Sequence, residues 1–456
     1  MREVTLREVL DARDRRAEAQ RRLLEQLARP LISFTMNIPG PVKDSPVIRR
    51  AFDEGLRMLD DGLGEAGIAC VSRQVAHADT GNEYLCAVEA PAAAVKEICT
   101  RIEDDSPMGR LFDMDVIGLD GQKLARKEER RCLVCGAVGR GCASRRLHSL
   151  EDLNAAVTSL LREGLLAADA DRVDAMVTHA LLEEVATTPK PGLVDRNNNG
   201  AHRDMTFLSF QTSASALRGY WKDCFLAGAE TAELPAREAF ARMRALGMEA
   251  ERKMFAATRG VNTHKGAIFT LGTICGALGR LWQPEALCGD PERIAETCAA
   301  LCADAVEADF AGLEKGGTAH TAGERLYLHS GLRGIRGEVA AGLPAVLETG
   351  LPILNVCLDN GMSRNDAGVI TLLHLIARGE DTNMIKRGGC ALAGEMSAQL
   401  RDGLRKNGFP TMERVRQLDE IFIRRNLSPG GCADLLAVSY FLHDWKDLIL
   451  LCNKTL

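Results

Sequence analysis

A change of texture near His148 constrains this chain more than any other feature of its sequence. Before it, short β-prone runs alternate with helical ones. After it the sequence is rich in Ala, Leu, Glu and Arg, with apolar residues recurring at three- and four-residue spacing (Leu278 and Leu281; Leu372, Leu373 and Ile376). The first pattern belongs to mixed α and β structure and the second to packed helices. At 456 residues the chain also exceeds what one hydrophobic core usually fills. The expectation is a multidomain protein, with an N-terminal α+β (mixed) domain over residues 1–166 followed by an all-α C-terminal domain over residues 167–456. Ser149 is placed to cap a helix ending near Leu161, and the charged, Ala-rich stretch from Ala167 to Arg172 is read as the junction.

Within the first part, Thr5 precedes a helical stripe from Leu6 to Leu27, and a β-prone run stops at Pro39-Gly40-Pro41 before a helix through Phe52, Leu56 and Leu59. Strands are expected at Gly67–Arg73, Tyr84–Val88 and Arg110–Gly118. No internal repeat or low-complexity tract is present in the sequence. An apolar share of 46% with 26% charged residues is that of a globular chain. No apolar run reaches the roughly 20 residues of a bilayer span, and the opening residues are charged throughout, so a cytoplasmic protein without a membrane partner is expected. The net charge of −6 argues against nucleic acid as a partner. Most of the fifteen cysteines lie singly in apolar stretches, as Cys70, Cys275, Cys302 and Cys357 do, where a thiol packs as a small hydrophobe.

In the run Leu111-Phe-Asp-Met-Asp-Val-Ile-Gly118, strand alternation buries Phe112, Met114 and Val116 and presents Asp113 and Asp115 together on the other face. Adjacent carboxylates repel unless a cation lies between them, and Mg²⁺ is the usual partner where phosphates react; a solvated strand edge is the plainer alternative. The turn Pro39-Gly-Pro-Val-Lys-Asp44, with Lys43 and then Arg49 and Arg50, exposes N–H groups and cations to an anion, or is a simple connection. Cys132, Cys135, Cys142 and His148 have spacings that suit a structural tetrahedral Zn²⁺, although they depart from common zinc fingers, and reduced thiols beside an unrelated histidine are the other reading. Residues 121–148 carry Lys123, Arg126, Lys127, Arg130, Arg131, Arg140, Arg145 and Arg146 against Glu128 and Glu129, a local excess suited to an acidic partner.

Over nearly all of residues 1–165 the strings RPLISFTMNIPGPVKDS, GRLFDMDVIGLDG and RRCLVCG followed by CASRRLH resemble the apo-citrate lyase phosphoribosyl-dephospho-CoA transferases, the holo-acyl-carrier-protein synthases of citrate lyase. The resemblance implies transfer of a phosphoribosyl-dephospho-CoA unit from its triphosphate to a serine of the citrate lyase acyl carrier (gamma) subunit, with release of pyrophosphate. Asp113 and Asp115 then hold the metal on the triphosphate, with Asp120 as a third carboxylate.

The densest polar run lies in the second part, Thr187-Thr-Pro-Lys-Pro-Gly-Leu-Val-Asp195 and onward to Met205, where prolines force an extended loop carrying Lys190, Asp195, Arg196, His202 and Asp204. Gly260-Val-Asn-Thr-His-Lys-Gly266 leads into an apolar helix and presents His264, Lys265 and free N–H groups at its start. Glu338 in a Gly-Ile-Arg-Gly-Glu run, Asp381 with Arg387-Gly-Gly389, and the run from Asn426 to Asp434 each pair glycine with charge. Singly these are caps and turns.

In order, TPKPGLVD, NGAH, GVNTHKGAIF, GIRGE, DTN and SPGG resemble the triphosphoribosyl-dephospho-CoA synthases over about residues 172–456. The resemblance implies that the 2′-hydroxyl of 3′-dephospho-CoA attacks the ribose of ATP and adenine leaves. From the residues themselves, Lys190, His264, Lys265 and Arg387 are the candidate phosphate contacts, and Asp195, Asp204, Glu338 and Asp381 the candidates for Mg²⁺ binding or general base, with Asp204 and Glu338 read as catalytic and Asp195 and Asp381 as Mg²⁺ ligands although the sequence does not decide among the four. The second half alone also suits an equivalent role for malonate decarboxylase, and a nucleotide sensor without turnover is the non-enzymatic alternative; the first half favours citrate lyase.

Overall fold

A computed structural model describes residues 2–138 and 141–455. The chain folds as two compact units, one of residues 1–169 with Gln283–Ala286, the other of Ala170–Trp282 and Leu287–Thr455. No helix among the described residues is long and apolar enough to cross a membrane.

The first unit is a four-stranded antiparallel sheet with helices on both faces. Its elements run α1 (Leu6–Leu27), β1 (Leu31–Met36), α2 (Pro46–Glu65), β2 (Cys70–Ala76), β3 (Glu83–Val88), α3 (Ala92–Asp105), β4 (Phe112–Ile117) and the short α4 (Gly141–Arg145), in sheet order β2-β3-β1-β4. Thr5 caps α1 in a reciprocal box with Glu8, and Ser45 caps α2 ahead of Pro46. β2 begins three residues later than its sequence pattern suggests, because Gly67, at φ 66°, still belongs to the turn that closes α2.

Alternation divides the sheet's side chains cleanly. Ile32 and Phe34 of β1 join Phe112, Met114 and Val116 of β4 in the core, and Phe34 stacks on Phe52 of α2 at 4.8 Å and meets Phe112 edge-on at 5.4 Å. Each buried ring contributes about 1.5–3 kcal/mol of transfer free energy. Gly55 makes room for this packing: a Cβ there would lie 2.6 Å from the Phe34 ring. On the opposite face the C-terminal half of α1 lays Leu23 against Leu31, Leu85, Ala87 and Ile117.

The texture change is not a break in the chain. One 37-residue helix, α5 (Leu150–Ala186), runs straight through the stretch read as a junction, so the helix does not end near Leu161. The Ala-rich stretch contains no Gly or Pro after Gly164 to stop it, and Leu161, Leu165, Val173, Val177 and Leu181 keep one face buried throughout.

Among its described residues the second unit contains helices and no strand. After α5 come α6 (Phe207–Ala216), α7 (Tyr220–Glu230), α8 (Ala236–Ala257), α9 (Lys265–Arg280), α10 (Pro291–Glu314), α11 (Ala322–Ser330) and α12 (Gly334–Ala340). A π-helical turn (Val346–Gly350) then leads into α13 (Leu351–Asp359), α14 (Arg364–Arg378), α15 (Thr382–Asn407), α16 (Met412–Arg424) and α17 (Gly430–Thr455). The centre of the unit is α9, buried on nearly all sides. Its Gly272, Gly276 and Gly279 are packed so closely that a Cβ would come within 2.2 Å of Tyr220, Met243 or the Phe225 carbonyl.

Candidate active sites in the two units

The β4 alternation places Asp113 and Asp115 on the face that α1 covers. Their cross-strand neighbours on β1 are Thr35 and Ser33, and Thr35 is paired in turn with Glu83 of β3. From α1, Gln20 donates to the Ser33 hydroxyl at 2.8 Å and Arg16 pairs with Glu83 at 2.6 Å. Asp113 and Asp115 thus head a polar row across the sheet. Ser33, Thr35, Arg16, Gln20 and Glu83 belong to it and were not picked out from sequence, although Ser33 and Thr35 alternate with Ile32 and Phe34 as visibly as the aspartates do.

Cations already face the carboxylate pair: Lys123 is ion-paired to Asp115, and Arg130 stands 3.8 Å from Asp113. Both come from the basic segment, whose charge is turned inward more than expected. Arg126 pairs with Glu103 and Asp104, and Arg130 also with Glu103. Arg140 lies outside the described residues. Glu103 is buried on α3 and accepts the Met114 N–H at 2.7 Å, while Lys96 donates to the Met114 carbonyl at 3.0 Å. Side chains therefore satisfy the outer edge of β4 between the two aspartates, where an open edge would invite strand addition.

The remaining expected anion contacts of this unit are engaged elsewhere. Lys43 donates to the Ile38 carbonyl, and burial, then the charge of Arg13, lowers its pKa. Arg49 pairs with Asp44, which also accepts from Asn82 at 3.0 Å. Arg50 makes a two-pronged contact with buried Asp169, at 2.9 and 3.1 Å. Asp120 accepts the Gln122 N–H and so shapes its own turn. Each of these residues is thus engaged by a partner within the unit.

The thiol cluster is geometrically real. One ligand atom from each of Cys132, Cys135, Cys142 and His148 lies within 4.8 Å of the others, and among the described residues it is the group of three or more such side chains that converges in this way. Backbone N–H groups of Cys135 and Val134 hold the Cys132 thiol down, to about 6.

In the second unit, the runs singled out from sequence are tied to one another. Gly192, at φ 72°, passes so close to the end of α16 that a Cβ would sit 2.1 Å from the Leu427 carbonyl, and its N–H donates to Asp419 at 2.9 Å. His202 meets Ser428 at 2.7 Å, and Arg387 donates to the Ala201 carbonyl at 2.8 Å. Gly334 packs on Thr382, and Gly431 lies against Asp381, whose Oδ2 accepts the Cys432 N–H at 2.8 Å. At Gly266, a Cβ would lie 2.0 Å from the Asp434 carboxylate; the missing side chain lets this half-buried acid reach the start of α9. Five segments far apart in sequence therefore border one region.

Within it, Lys190 is 1% exposed and donates to the Glu184 carboxylate at 2.5 Å and the Glu184 carbonyl at 2.8 Å. Burial pushes Glu184, Asp381 and Asp434 up, and Asp434 is raised further by Glu184 and Asp381. His264, 2% exposed, is lowered to about 3 by burial and then by the Lys190 charge. Burial thus favours its neutral imidazole. Ser213 holds Nδ1 at 2.7 Å and itself receives the Thr263 hydroxyl proton at 2.7 Å, while Nε2 is buried with no hydrogen-bond partner.

Other expected roles shift for a physical reason. Asp195 takes the N–H groups of Asn197 and Asn198 on Oδ1 and the Thr188 hydroxyl and Lys190 N–H on Oδ2, which organises the loop and uses the lone pairs a metal would need. Asp381 caps α15 through Met384 and holds Cys432, so it too acts first on backbone. Glu338 accepts the Ala345 N–H at 2.6 Å and burial raises its pKa. Lys265 opens α9 and pairs with Glu251 at 2.7 Å. Asp204 stands outward, its side chain 63% exposed, 3.9 Å from His202. Asp434 ends one of the runs singled out from sequence, whereas Glu184 was missed. Beside Glu183 in a helix, it reads there as part of a solvated face.

Comparison with known proteins shows which families the two parts of the chain match. The family described as ATP:dephospho-CoA triphosphoribosyl transferase matches residues 170–450, and that described as apo-citrate lyase phosphoribosyl-dephospho-CoA transferase matches residues 4–164. "Protein CitXG" of Haemophilus influenzae is 32% identical over 97% of this chain and 97% of its own length, and the protein of that name from Leuconostoc mesenteroides is 32% identical over 96% and 97%. A protein of Vibrio cholerae named "Probable 2-(5''-triphosphoribosyl)-3'-dephosphocoenzyme-A synthase" is 44% identical over 59% of this chain and 87% of its own length.

Proposed function

We propose how the two units of this chain work from the premise that it belongs to the ATP:dephospho-CoA triphosphoribosyl transferase family and carries an apo-citrate lyase phosphoribosyl-dephospho-CoA transferase module ahead of that domain. It is a bifunctional transferase of citrate lyase prosthetic-group synthesis. The part from residue 167 onward makes 2′-(5″-triphosphoribosyl)-3′-dephospho-CoA from ATP and 3′-dephospho-CoA. The part from residue 1 to 166 passes the phosphoribosyl-dephospho-CoA unit to a serine of the acyl carrier subunit of apo citrate lyase, in the cytoplasm. The functional division falls inside α5.

In the synthase half the bond from the ribose carbon of ATP to adenine breaks as the 2′-oxygen of dephospho-CoA bonds to that carbon. The hydroxyl needs a base, and a base works best with a pKa near the working pH. Glu184 and Asp434 are the candidates, because burial raises both carboxyls above their ordinary range. Lys190 holds Glu184 in place. The N–H groups at the start of α9, with Lys265 and Arg387, are suited to the triphosphate, and the unpartnered Nε2 of His264 supplies one more hydrogen bond. Asp195, Asp381 and Glu338 keep the loops in register, and Asp204 meets ligand at the outer rim.

In the transferase half the serine oxygen of the carrier bonds to the phosphorus nearest the ribose as the bond to the pyrophosphate oxygen breaks. Asp113 and Asp115 offer adjacent oxygen donors of the kind that suit Mg²⁺, which when bound would neutralise charge on the leaving pyrophosphate. Lys123 and Arg130, which face these carboxylates, are positioned to move onto triphosphate oxygens when the donor enters.

What carries this reading is one acid-and-cation centre in each unit, built on separate elements. Purified protein given ATP, Mg²⁺ and dephospho-CoA is expected to release adenine at once and pyrophosphate only after apo carrier subunit is added, both followed by chromatography. Turnover of carrier without adenine, or no adenine at all, would refute the synthase assignment.

A further inference from the structure

We infer that Cys132, Cys135, Cys142 and His148 bind one Zn²⁺ that clasps a cationic arm along the outer edge of β4, and that this metal serves pyrophosphate release alone. The inference rests on the transferase reading of the first unit for its functional half and on geometry for its metal half.

The arm is residues 119–138. β4 is an edge strand, and the arm doubles back along it: Gly118 donates to the Gln122 carbonyl at 2.9 Å, Leu124 to the Val116 carbonyl at 2.8 Å, and Ile117 bridges to Lys123. From that path it delivers Lys123 to Asp115 and Arg130 to Asp113 and Glu103. Yet no residue from 119 to 138 is buried. Apolar burial therefore does not order the arm; its pairs with Asp115 and Asp113 lie near solvent and return little of the entropy lost in fixing a chain, which leaves Arg126 and Arg130 on buried Glu103 as its side-chain anchor. Metal binding is the strong folding contribution open to a small module without a core.

The far end of the arm has what such a metal requires. The Cys132 N–H donates to the Ala137 carbonyl and the Gly136 N–H to the Cys132 carbonyl, with Gly136 at φ 68°, so the Cys-x-x-Cys-Gly turn brings both thiols together. Cys142 arrives from α4, its sulfur 3.5 Å from that of Cys135. Two sulfurs on one tetrahedral Zn²⁺, each about 2.3 Å from the metal, stand about 3.8 Å apart. The fourth side chain, His148, has a buried Nε2 with no hydrogen-bond partner, the condition of an imidazole awaiting a ligand. Three thiolates and an imidazole fill the sphere, so no position is left for substrate and the site is structural.

Zinc content of the full-length chain, purified without chelator from zinc-supplemented medium, is expected to be one per chain by plasma mass spectrometry. Cys135→Ser and His148→Ala should lose most of it. Trypsin should then cut between residues 123 and 131 at least tenfold faster, and pyrophosphate release should fall at least tenfold with adenine release unchanged. Wild-type protein without stoichiometric zinc, or both variants keeping it, would overturn the metal site. Zinc loss with pyrophosphate release intact would overturn its link to transfer. A zinc-loaded protein that modifies no carrier would count against the transferase reading and this link, and leave the metal site standing.

Discussion

Replacing Asp113 with Asn is expected to cut pyrophosphate release on the carrier subunit by about 10²–10³-fold, the usual effect of removing one group that stabilises transition-state charge, while adenine release stays at the wild-type rate. The substitution keeps size and the Phe112-Met114-Val116 packing on the other face of β4, and Asp113 is half exposed, so folding is little affected. What is lost is one of two adjacent negative charges. Arg130 remains tied to Glu103 and is then free of its weaker contact with Asp113. The check is a paired assay on one preparation, with adenine and pyrophosphate read from the same reaction. Equal loss of both products would mean that the two centres do not act independently.

Lys190→Met is expected to be the most destabilising single change in the second unit. Lys190 is buried and neutralises Glu184, which Asp434 also approaches. Removing one partner of a buried pair costs about 3–5 kcal/mol, a fall in Tm on the order of 10 °C for a domain of this size. The pH dependence has a definite sign. Burial already raises the Glu184 pKa and Lys190 opposes that shift, so without Lys190 the folded-state pKa moves higher still above that of the unfolded chain. A raised carboxyl favours the folded state below the unfolded pKa, and that advantage is lost as pH rises through the folded value. The variant's deficit should therefore grow as pH rises from acid toward neutrality, and adenine release should be abolished. Calorimetry across pH provides the check. A deficit that is flat with pH would mean that Lys190 contributes packing and not charge.

Much of the first unit is legible in sequence because its signals are local. Thr5 with Glu8, Ser45 with Pro46, and the two-residue alternation from Phe112 to Ile117 are each decided within a few residues. The continuity of α5 is harder to read, because a charged Ala-rich stretch looks like a linker until the buried face through Leu161, Leu165, Val173, Val177 and Leu181 is traced along it. By charge alone the basic arm faces outward, yet Lys123, Arg126 and Arg130 turn toward acids on α3 and β4 that lie distant in sequence. In the second unit the glycine-bearing runs announce a site. Glu184 does not announce itself, because it sits beside Glu183 in a helix, and Asp434, which ends one of those runs, becomes significant only because Gly266, 168 positions earlier, leaves room for its carboxylate. Turn chemistry is written in sequence, whereas the partner of a buried charge is decided by tertiary packing.

The central claim is that one chain both builds the prosthetic-group precursor and attaches it. The mass of apo citrate lyase acyl carrier subunit after incubation with this protein, ATP, Mg²⁺ and 3′-dephospho-CoA measures that directly. A gain equal to one phosphoribosyl-dephospho-CoA unit on a serine, absent when dephospho-CoA is omitted, is the predicted spectrum; a carrier of unchanged mass beside protein that releases adenine would contradict it.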